Sequence, residues 1–493
     1  MCERFFYALF TKTLFIRIKN IDTGHWLIKH ILQPMKENSR QNTQLQRSLS
    51  RFDAIMMIVG NMVGIGIFTT TGYYAQYLAT PLGLYVVWLG GAIYAFSGAM
   101  VYAELATRFP RAGGDYLFLS NAYHPLLGFL FGWSTFTVTY PGSIATIAIG
   151  FAYYFLQLFP PEIKEWVFHL PGVPFSLTSI KLVAIGIVFV LTWLNSRGLR
   201  SGAGFQNFVV VLGILVLLAF VAMGLISPQG EWGNFVPFFP EGLDFQTISL
   251  WGVALIGVVF TYSGWTVLVY IAGEVKAPQK NIPYAMGVAV LLVAILYVLI
   301  NTVYLYAQPL TQMSGDVEIG YLTMRILFGE NTGTFFSIMI IIMVLSSLNS
   351  TILSGARIYY AMAAENRFFR FVAHIHPKFR VPANSLWLQF GWTTLLILLG
   401  TFNQLLTYTV FVMVLFSLLA GIALFLLRRR SQPPENIFLA WGYPVVPVIY
   451  LGISFWLLGN TLYHRPVESV IGVSLVLAGI PFYYWWEKKK KNN

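Results

Sequence analysis

The stretch "MMIVGNMVGIGIFTT" (Met56–Thr70) sets Gly60, Gly64 and Gly66 into a segment apolar enough to lie in lipid. Glycine weakens a helix by roughly 1 kcal/mol relative to alanine, so a plain spanning helix gains nothing from three of them near its middle. A second apolar run is interrupted in "FTYSGWT" (Phe260–Thr266), at Ser263 and Gly264. Broken spans at matching positions of two halves are the best sequence pointer to a binding site inside a membrane protein. Counted along the chain, these are the first and sixth spans. That spacing predicts a five-plus-five repeat followed by two more helices, with the second copy inverted because five is odd.

The solvent follows from composition. Of 493 residues, 57% are hydrophobic and 10% charged, against about 25% charged in soluble domains, so lipid must cover much of the surface. Runs such as "FVVVLGILVLLAFVAMGLI" (Phe208–Ile226) and "AMGVAVLLVAILYVLINTVYLYA" (Ala285–Ala307) reach the roughly 20 residues that cross a bilayer. Hydropathy predicts an all-α integral membrane protein of twelve spans, near 53–77, 83–107, 124–157, 180–196, 203–227, 248–274, 283–307, 332–363, 384–401, 404–427, 440–459 and 467–486. The third and eighth are long enough to tilt or project.

The net charge of +12 is dispersed through short loops, the pattern of topogenic signals and not of a nucleic-acid patch. Arg40, Arg47, Arg51, Arg108, Arg111, Arg197, Arg200, Lys276, Lys280, Arg367, Arg370, Lys378, Arg380, Arg428 to Arg430 and Lys488 to Lys491 share one side. Glu231, Glu241, Asp244, Asp316, Glu318 and Glu330 mark the other, with only Lys164, Lys181, Arg325 and Arg465 for company. The positive-inside rule puts both termini in the cytoplasm of a cell whose plasma or inner membrane holds the chain. The single cysteine, Cys2, predicts no internal disulfide and no disulfide-linked accessory subunit. The seven histidines are scattered, "HIHP" (374–377) having no cysteine or acid beside it, and no nucleophile–base pair stands out. Neither a metal site, a cofactor nor an enzyme is expected.

By region, residues 1–50 form a polar cytoplasmic tail, 51–430 the ten-helix core, 431–487 helices 11 and 12, and 488–493 a basic tail. Lys12, Arg17 and Lys19 interrupt the apolar stretch of residues 1–34, which is therefore not expected to act as a signal peptide. The natural start is expected at Met35.

Unwinding a helix in lipid exposes N–H and C=O groups, tolerated only where protein or a cavity satisfies them. The half-helix beginning past Gly64 offers free N–H groups and a positive dipole end to a carboxylate. Carbonyls at the broken ends suit an ammonium. A zwitterionic α-amino acid carries both. The competing explanation is packing, since Gly60 and Gly64 form a GxxxG pair. The matching break in span 6 weighs against it and leaves packing to Gly60.

Four motifs bring a family into view. "GNMVGIGIF", "VYAELATRFPRAGGDYLFL" (Val101–Leu119), "FTYSGWTVLVYIAGEVKAPQKNIPYAM" (Phe260–Met286) and "NSTILSGARIYYAMAAENRFF" with "HPKFRVPANSL" stand in the order found in the amino acid–polyamine–organocation superfamily. Over about residues 47–430 the chain resembles that superfamily, its L-type amino acid transporter branch most of all. The resemblance implies a leucine-transporter-like fold with discontinuous helices 1 and 6 and alternating access. It places a substrate carboxylate at Val63, Gly64, Ile65, Gly66 and Ile67, and an ammonium near Ile58, Phe260, Ser263 and Gly264, with Phe260 as an aromatic gate. Two positions depart from the family pattern. Ile65 stands where relatives often keep a small polar residue, making the pocket floor more apolar. Gly213 falls where many carry a helix 5 lysine linked to proton coupling, which shifts the expectation toward exchange.

Further candidate pocket or gate residues are Tyr140, Pro141, Ser143, Trp265, Trp133, Glu104 and Glu274. The two acids are expected as partners of Arg108, Arg111, Arg357 or Lys276. No acid is expected at mid-membrane, where a transporter of arginine or polyamines would hold a cationic side chain. The leading substrate class is therefore neutral L-amino acids, with a counter-substrate or proton as partner. A cationic amino acid or polyamine exchanger is the alternative, and a non-transporting sensor or scaffold the third. Replacing Gly66 by a bulky residue is expected to abolish binding in a folded protein.

Overall fold

A computed structural model describes residues 47, 49–110, 113–169, 176–198, 203–432 and 436–491; Arg40, Arg111, Arg200 and Cys2 lie outside these residues. The compact unit begins at Leu49. Helix α1 (Arg51–Met62) starts at Ser50, whose hydroxyl accepts the Asp53 N–H (3.2 Å) while the Asp53 carboxylate accepts the Ser50 N–H (2.9 Å). This reciprocal cap satisfies two of the donors that every helix start leaves over.

The first predicted break is present. After Met62 the chain leaves the helix and resumes as α2 (Gly66–Tyr74). Buried tyrosines from neighbouring helices satisfy carbonyls around it: Tyr297 donates to Met62 (2.6 Å), Tyr304 to Ile67 (3.2 Å) and Tyr154 to Phe68 (2.6 Å). With no water to do this work, side chains must.

Next come α3 (Pro81–Arg108), α4 (Asp115–Ala122), and α5 (Pro125–Ser134), which joins α6 (Tyr140–Leu156) through a π turn, Thr135–Thr139. Pro141 has no N–H to offer the carbonyl of Thr137. The indole of Trp392 donates to that carbonyl instead (2.8 Å), and Tyr359 donates to Thr135 O (3.1 Å). An antiparallel hairpin, β1 (Val167–His169) with β2 (Ser176–Thr178), pairs Val167 with Thr178; it is the one departure from the all-α expectation among the described residues. Helices α7 (Ser179–Ser196), α8 (Ala203–Ile226) and α9 (Phe245–Tyr262) follow.

The second predicted break succeeds α9, spanning Ser263–Thr266 before the helical turn Val267–Tyr270. The remaining helices are α10 (Pro278–Ala307), α11 (Ile319–Phe328), α12 (Glu330–Ala364), α13 (Ala383–Leu399), α14 (Phe402–Arg430), α15 (Val445–His464), α16 (Pro466–Leu477) and α17 (Gly479–Lys491). By length and composition, ten helical stretches of the described residues suffice to cross a membrane. The other two predicted spans are the third, divided by its π turn, and the ninth, α13, which is 17 residues long.

The two breaks meet. Gly264 has φ +114°, and a β-carbon there would lie 2.7 Å from the Asn61 carbonyl oxygen; one on Gly66 would lie 3.0 Å from the Cα of Thr261. Only glycine permits such approach. Past the second break, the chain emerges at the face where α1 begins, because Leu49 donates to Glu274 O and Lys276 to Leu49 O, both at 3.0 Å. At the opposite face the segment carrying α11 roofs α2, with Gly315 N–H on Gly72 O (3.0 Å) and an ion pair Lys164–Glu318 (3.2 Å).

Candidate functional site

Beside the breaks lies a cavity of about 140 Å³. Asn61 reaches it from the last turn of α1, and Phe260, Ser263, Gly264, Thr266 and Tyr270 from the second break and its flanks. The π turn and the start of α6 add Thr135, Thr139, Tyr140, Ser143 and Ile147. Helix α12 supplies Ser347, Thr351 and Ser354, whose spacing puts three small hydroxyl residues on one helix face. Val412, Met413, Phe416 and Ser417 of α14 form an additional wall. Ten of the lining side chains are Ser, Thr or Asn. Such walls offer donors and acceptors without fixed charge. In the first break, the N–H groups of Ile65, Gly66 and Ile67 have no acceptor among the described residues.

Among the candidates, Phe260, Ser263, Gly264, Tyr140 and Ser143 line the cavity. Ile58 and Ile67 are fully buried and do not line it. Gly64 stands next to the wall, since a β-carbon there would lie 3.0 Å from Ser347 Oγ. Ile65 is no pocket floor: its side chain packs on Gly150 of α6, where a β-carbon would come within 2.3 Å of it. Val63 borders a separate void of about 20 Å³ with Gly60, Gly213 and Met343. Pro141 acts through the π turn. Trp265 packs edge-on to Tyr102 (5.1 Å) and Trp133 donates to Leu475 O (2.9 Å), so neither tryptophan lines the cavity.

The two acids also fall elsewhere than expected. Glu104 is fully buried and bound by Arg428 of α14, through Nε at 2.8 Å and through a terminal nitrogen, and by the Ala440 N–H at 2.7 Å. Of the expected cations, Arg108 donates to Ser431 O, Arg357 and Lys276 are exposed, and Arg111 lies outside the described residues. Glu274 contributes its backbone carbonyl to Leu49.

One acid that the sequence reading did not single out reaches the cavity. Asp115, the first residue of α4, lines the cavity; Tyr102 donates to Oδ1 (2.5 Å) and Tyr270 to Oδ2 (2.9 Å). Burial pushes its carboxyl up to about 6, against the opposing pull of the two tyrosine hydrogen bonds. The sequence carried the residue in "AGGDY" but no hydropathy signal pointed to it. The α12 hydroxyls were legible in "SSLNSTILS" as a run of small polar residues inside an apolar span.

A predominantly helical chain with multiple membrane-spanning helices, two of them broken around a polar internal cavity, has the architecture of a membrane permease. The profile of the family described as "Amino acid permease" matches residues 49–483, and the chain belongs to that family, on the L-type branch of the amino acid–polyamine–organocation superfamily. It is 27% identical over 448 residues to the serine/threonine exchanger SteT of Bacillus subtilis (strain 168), covering 90% of this chain and 97% of that protein. It is 28% identical to the mouse (Mus musculus) Asc-type amino acid transporter 1, covering 90% and 82%. The human (Homo sapiens) large neutral amino acids transporter small subunit 2 is 29% identical, with 89% and 80% covered. The family and these relatives make the chain a multi-pass amino acid transporter.

Proposed function

We propose that the protein is a secondary transporter that exchanges neutral L-amino acids by alternating access. The observation that carries this reading is the cavity wall: ten Ser, Thr or Asn side chains beside two helix breaks, with no unengaged charge. The substrate carboxylate meets the open N–H groups of Ile65, Gly66 and Ile67, the ammonium meets carbonyls at Phe260 and Ser263, and Phe260 closes over the bound molecule. Names of relatives that specify serine/threonine and large neutral amino acids support the neutral class. Asp115 does not favour a cationic substrate, because both its oxygens already accept tyrosine hydroxyls.

Exchange is favoured over proton symport because the place of the family lysine is closed. A β-carbon at Gly213 would lie 2.9 Å from Met343 Sδ, so the thioether occupies the space a longer side chain would need. The full arrangement is twelve spans with a five-plus-five inverted repeat and both termini in the cytoplasm of the cell membrane. No accessory chain is attached by disulfide. In proteoliposomes, uptake of labelled serine, threonine or leucine is expected to require internal amino acid and to ignore an imposed pH gradient. Uptake restricted to arginine or agmatine would overturn the substrate class, and uptake without internal amino acid would overturn exchange.

A further inference from the structure

A groove of about 500 Å³ opens on the outside of the bundle, where α10 and α15 both pack on α3. Leu89 and Ile93 line it from α3, Leu291 and Ile295 from α10, and Ile449 from α15. The first four are about half exposed. The one polar side chain in the lining is Ser97, whose hydroxyl donates back to Ile93 O of its own helix. A polar occupant would find nothing to bond there, so the groove suits hydrocarbon.

The two ends of the groove differ. Past Leu89 and Val298, Tyr85 of α3 shares a hydrogen bond with Thr302 of α10 (2.9 Å) and stacks on Phe238, with 6.2 Å between ring centres. That bridge closes one end. The other runs toward the face where α1 begins. Along α10 the exposed residues Lys280, Tyr284, Leu291 and Ile295 recur at helical spacing, so a single stripe joins that face to the groove. Gly287 keeps the stripe shallow between them: a β-carbon there would lie 3.5 Å from Met100 Cε and 4.0 Å from the Phe96 ring. At the foot of the stripe the Arg51 guanidinium lies over the Tyr284 ring at 4.6 Å, and its Nε donates to Asn281 Oδ1 (3.0 Å), one residue from Lys280. Both cations are exposed, and among the described residues neither belongs to an ion pair. Asp53, two residues from Arg51, accepts from the Ser50 N–H and from Asn207 (2.8 Å).

We propose that this surface binds one anionic phospholipid, its phosphate on Arg51 and Lys280 and one acyl chain running past Tyr284 and Gly287 into the groove. The site needs the membrane but not the transport reading. Basic groups at the membrane surface beside a slot between helices hold acidic lipid headgroups. A helix rises 1.5 Å per residue, so Tyr284 lies about 21 Å from Val298. That exceeds half of the roughly 30 Å hydrocarbon core, so the slot takes an extended chain and ends beyond the midplane. A sterol or a neutral lipid would leave the two cations unmatched.

The full chain in detergent is titrated with dioleoyl-phosphatidylglycerol or dioleoyl-phosphatidylcholine, and the first bound lipid is followed by native mass spectrometry. Phosphatidylglycerol is expected to bind about tenfold tighter. Arg51→Gln or Lys280→Gln should weaken it about fivefold each and leave phosphatidylcholine unchanged. Ala294→Phe, which fills the groove from α10, should weaken both lipids about tenfold. Ala92→Phe does the same from α3 and carries this arm if Ala294→Phe does not fold. Equal binding of the two lipids, or charge variants that hold phosphatidylglycerol like the parent, overturns the anionic assignment. Groove variants that bind like the parent overturn the seat of the chain. A parent dimer that the groove variants abolish assigns the surface to a second copy and overturns the proposal as well. Amino acid flux enters none of these measurements, so the transport reading stands or falls apart from them.

Discussion

A β-carbon at position 66 would meet the backbone of Thr261, and one at position 64 only the Oγ of Ser347. The first obstacle cannot move without shifting α9, whereas the second rotates away. Gly66→Leu is therefore expected to fail to fold, seen as loss of a monodisperse detergent peak, which replaces the sequence expectation of a folded non-binder. Gly64→Ala should fold and lose most uptake. Both glycines were conspicuous in the sequence, but the purpose of Gly66 was hidden because its partner lies 195 positions along the chain, in the other break. Asp115 was hidden for a related reason: its tyrosines come from two other elements. Because its carboxyl is raised in the folded protein from 3.8 to about 6, the native state binds the proton more tightly than the unfolded chain. Native stability then falls as pH rises through that window, and the penalty is constant above it. Asp115→Asn removes the penalty, so it should melt above the parent at pH 8, with the gap narrowing toward pH 4 in a thermal-shift series.

At the level of elements, the buried pair Glu104–Arg428 binds α3 to α14, with the Ala440 N–H and the Tyr443 ring, 3.8 Å from the Arg428 guanidinium, completing it. Breaking a buried pair from one side leaves a stranded charge. Glu104→Gln is expected to cost about 3 kcal/mol, read as a lower denaturation midpoint, and Glu104→Leu with Arg428→Leu to recover most of it. Hydropathy and the two interruptions made nearly every helix legible, because burial in lipid writes itself into composition. Side-chain pairing across the bundle leaves no such mark. Arg108 is four residues from Glu104 and looked like its partner, yet the fold supplies Arg428 from 324 residues away. The π turn was equally silent: Pro141 announced a disturbance, but the indole of Trp392 that makes it tolerable belongs to α13.

For the molecule as a whole, the cavity has Tyr102, Asp115 and Tyr270 on one flank, while the segment carrying α11 packs over α2 at the opposite face. Gly72 lets that segment descend, since a β-carbon there would lie 2.3 Å from Asp316 O. Gly72→Val should push that segment off α2, read as a lower denaturation midpoint in detergent. Coupling is a second property of the whole. Gly213→Lys with Met343→Ala restores both the family lysine and room for it, and should turn strict exchange into uptake stimulated by an inward pH gradient.

The π turn between α5 and α6 has a consequence for insertions and deletions. A helix advances about 100° per residue, so an added residue rotates everything on one side of it against the other. Deleting Val138, a fully buried residue of that turn, would let the segment wind as a continuous α-helix and would swing Thr135 or Ser143 out of the shared wall without altering either side chain. The cavity is thus defined partly by a count of residues, and a change in length there would do what no single replacement of a lining residue does.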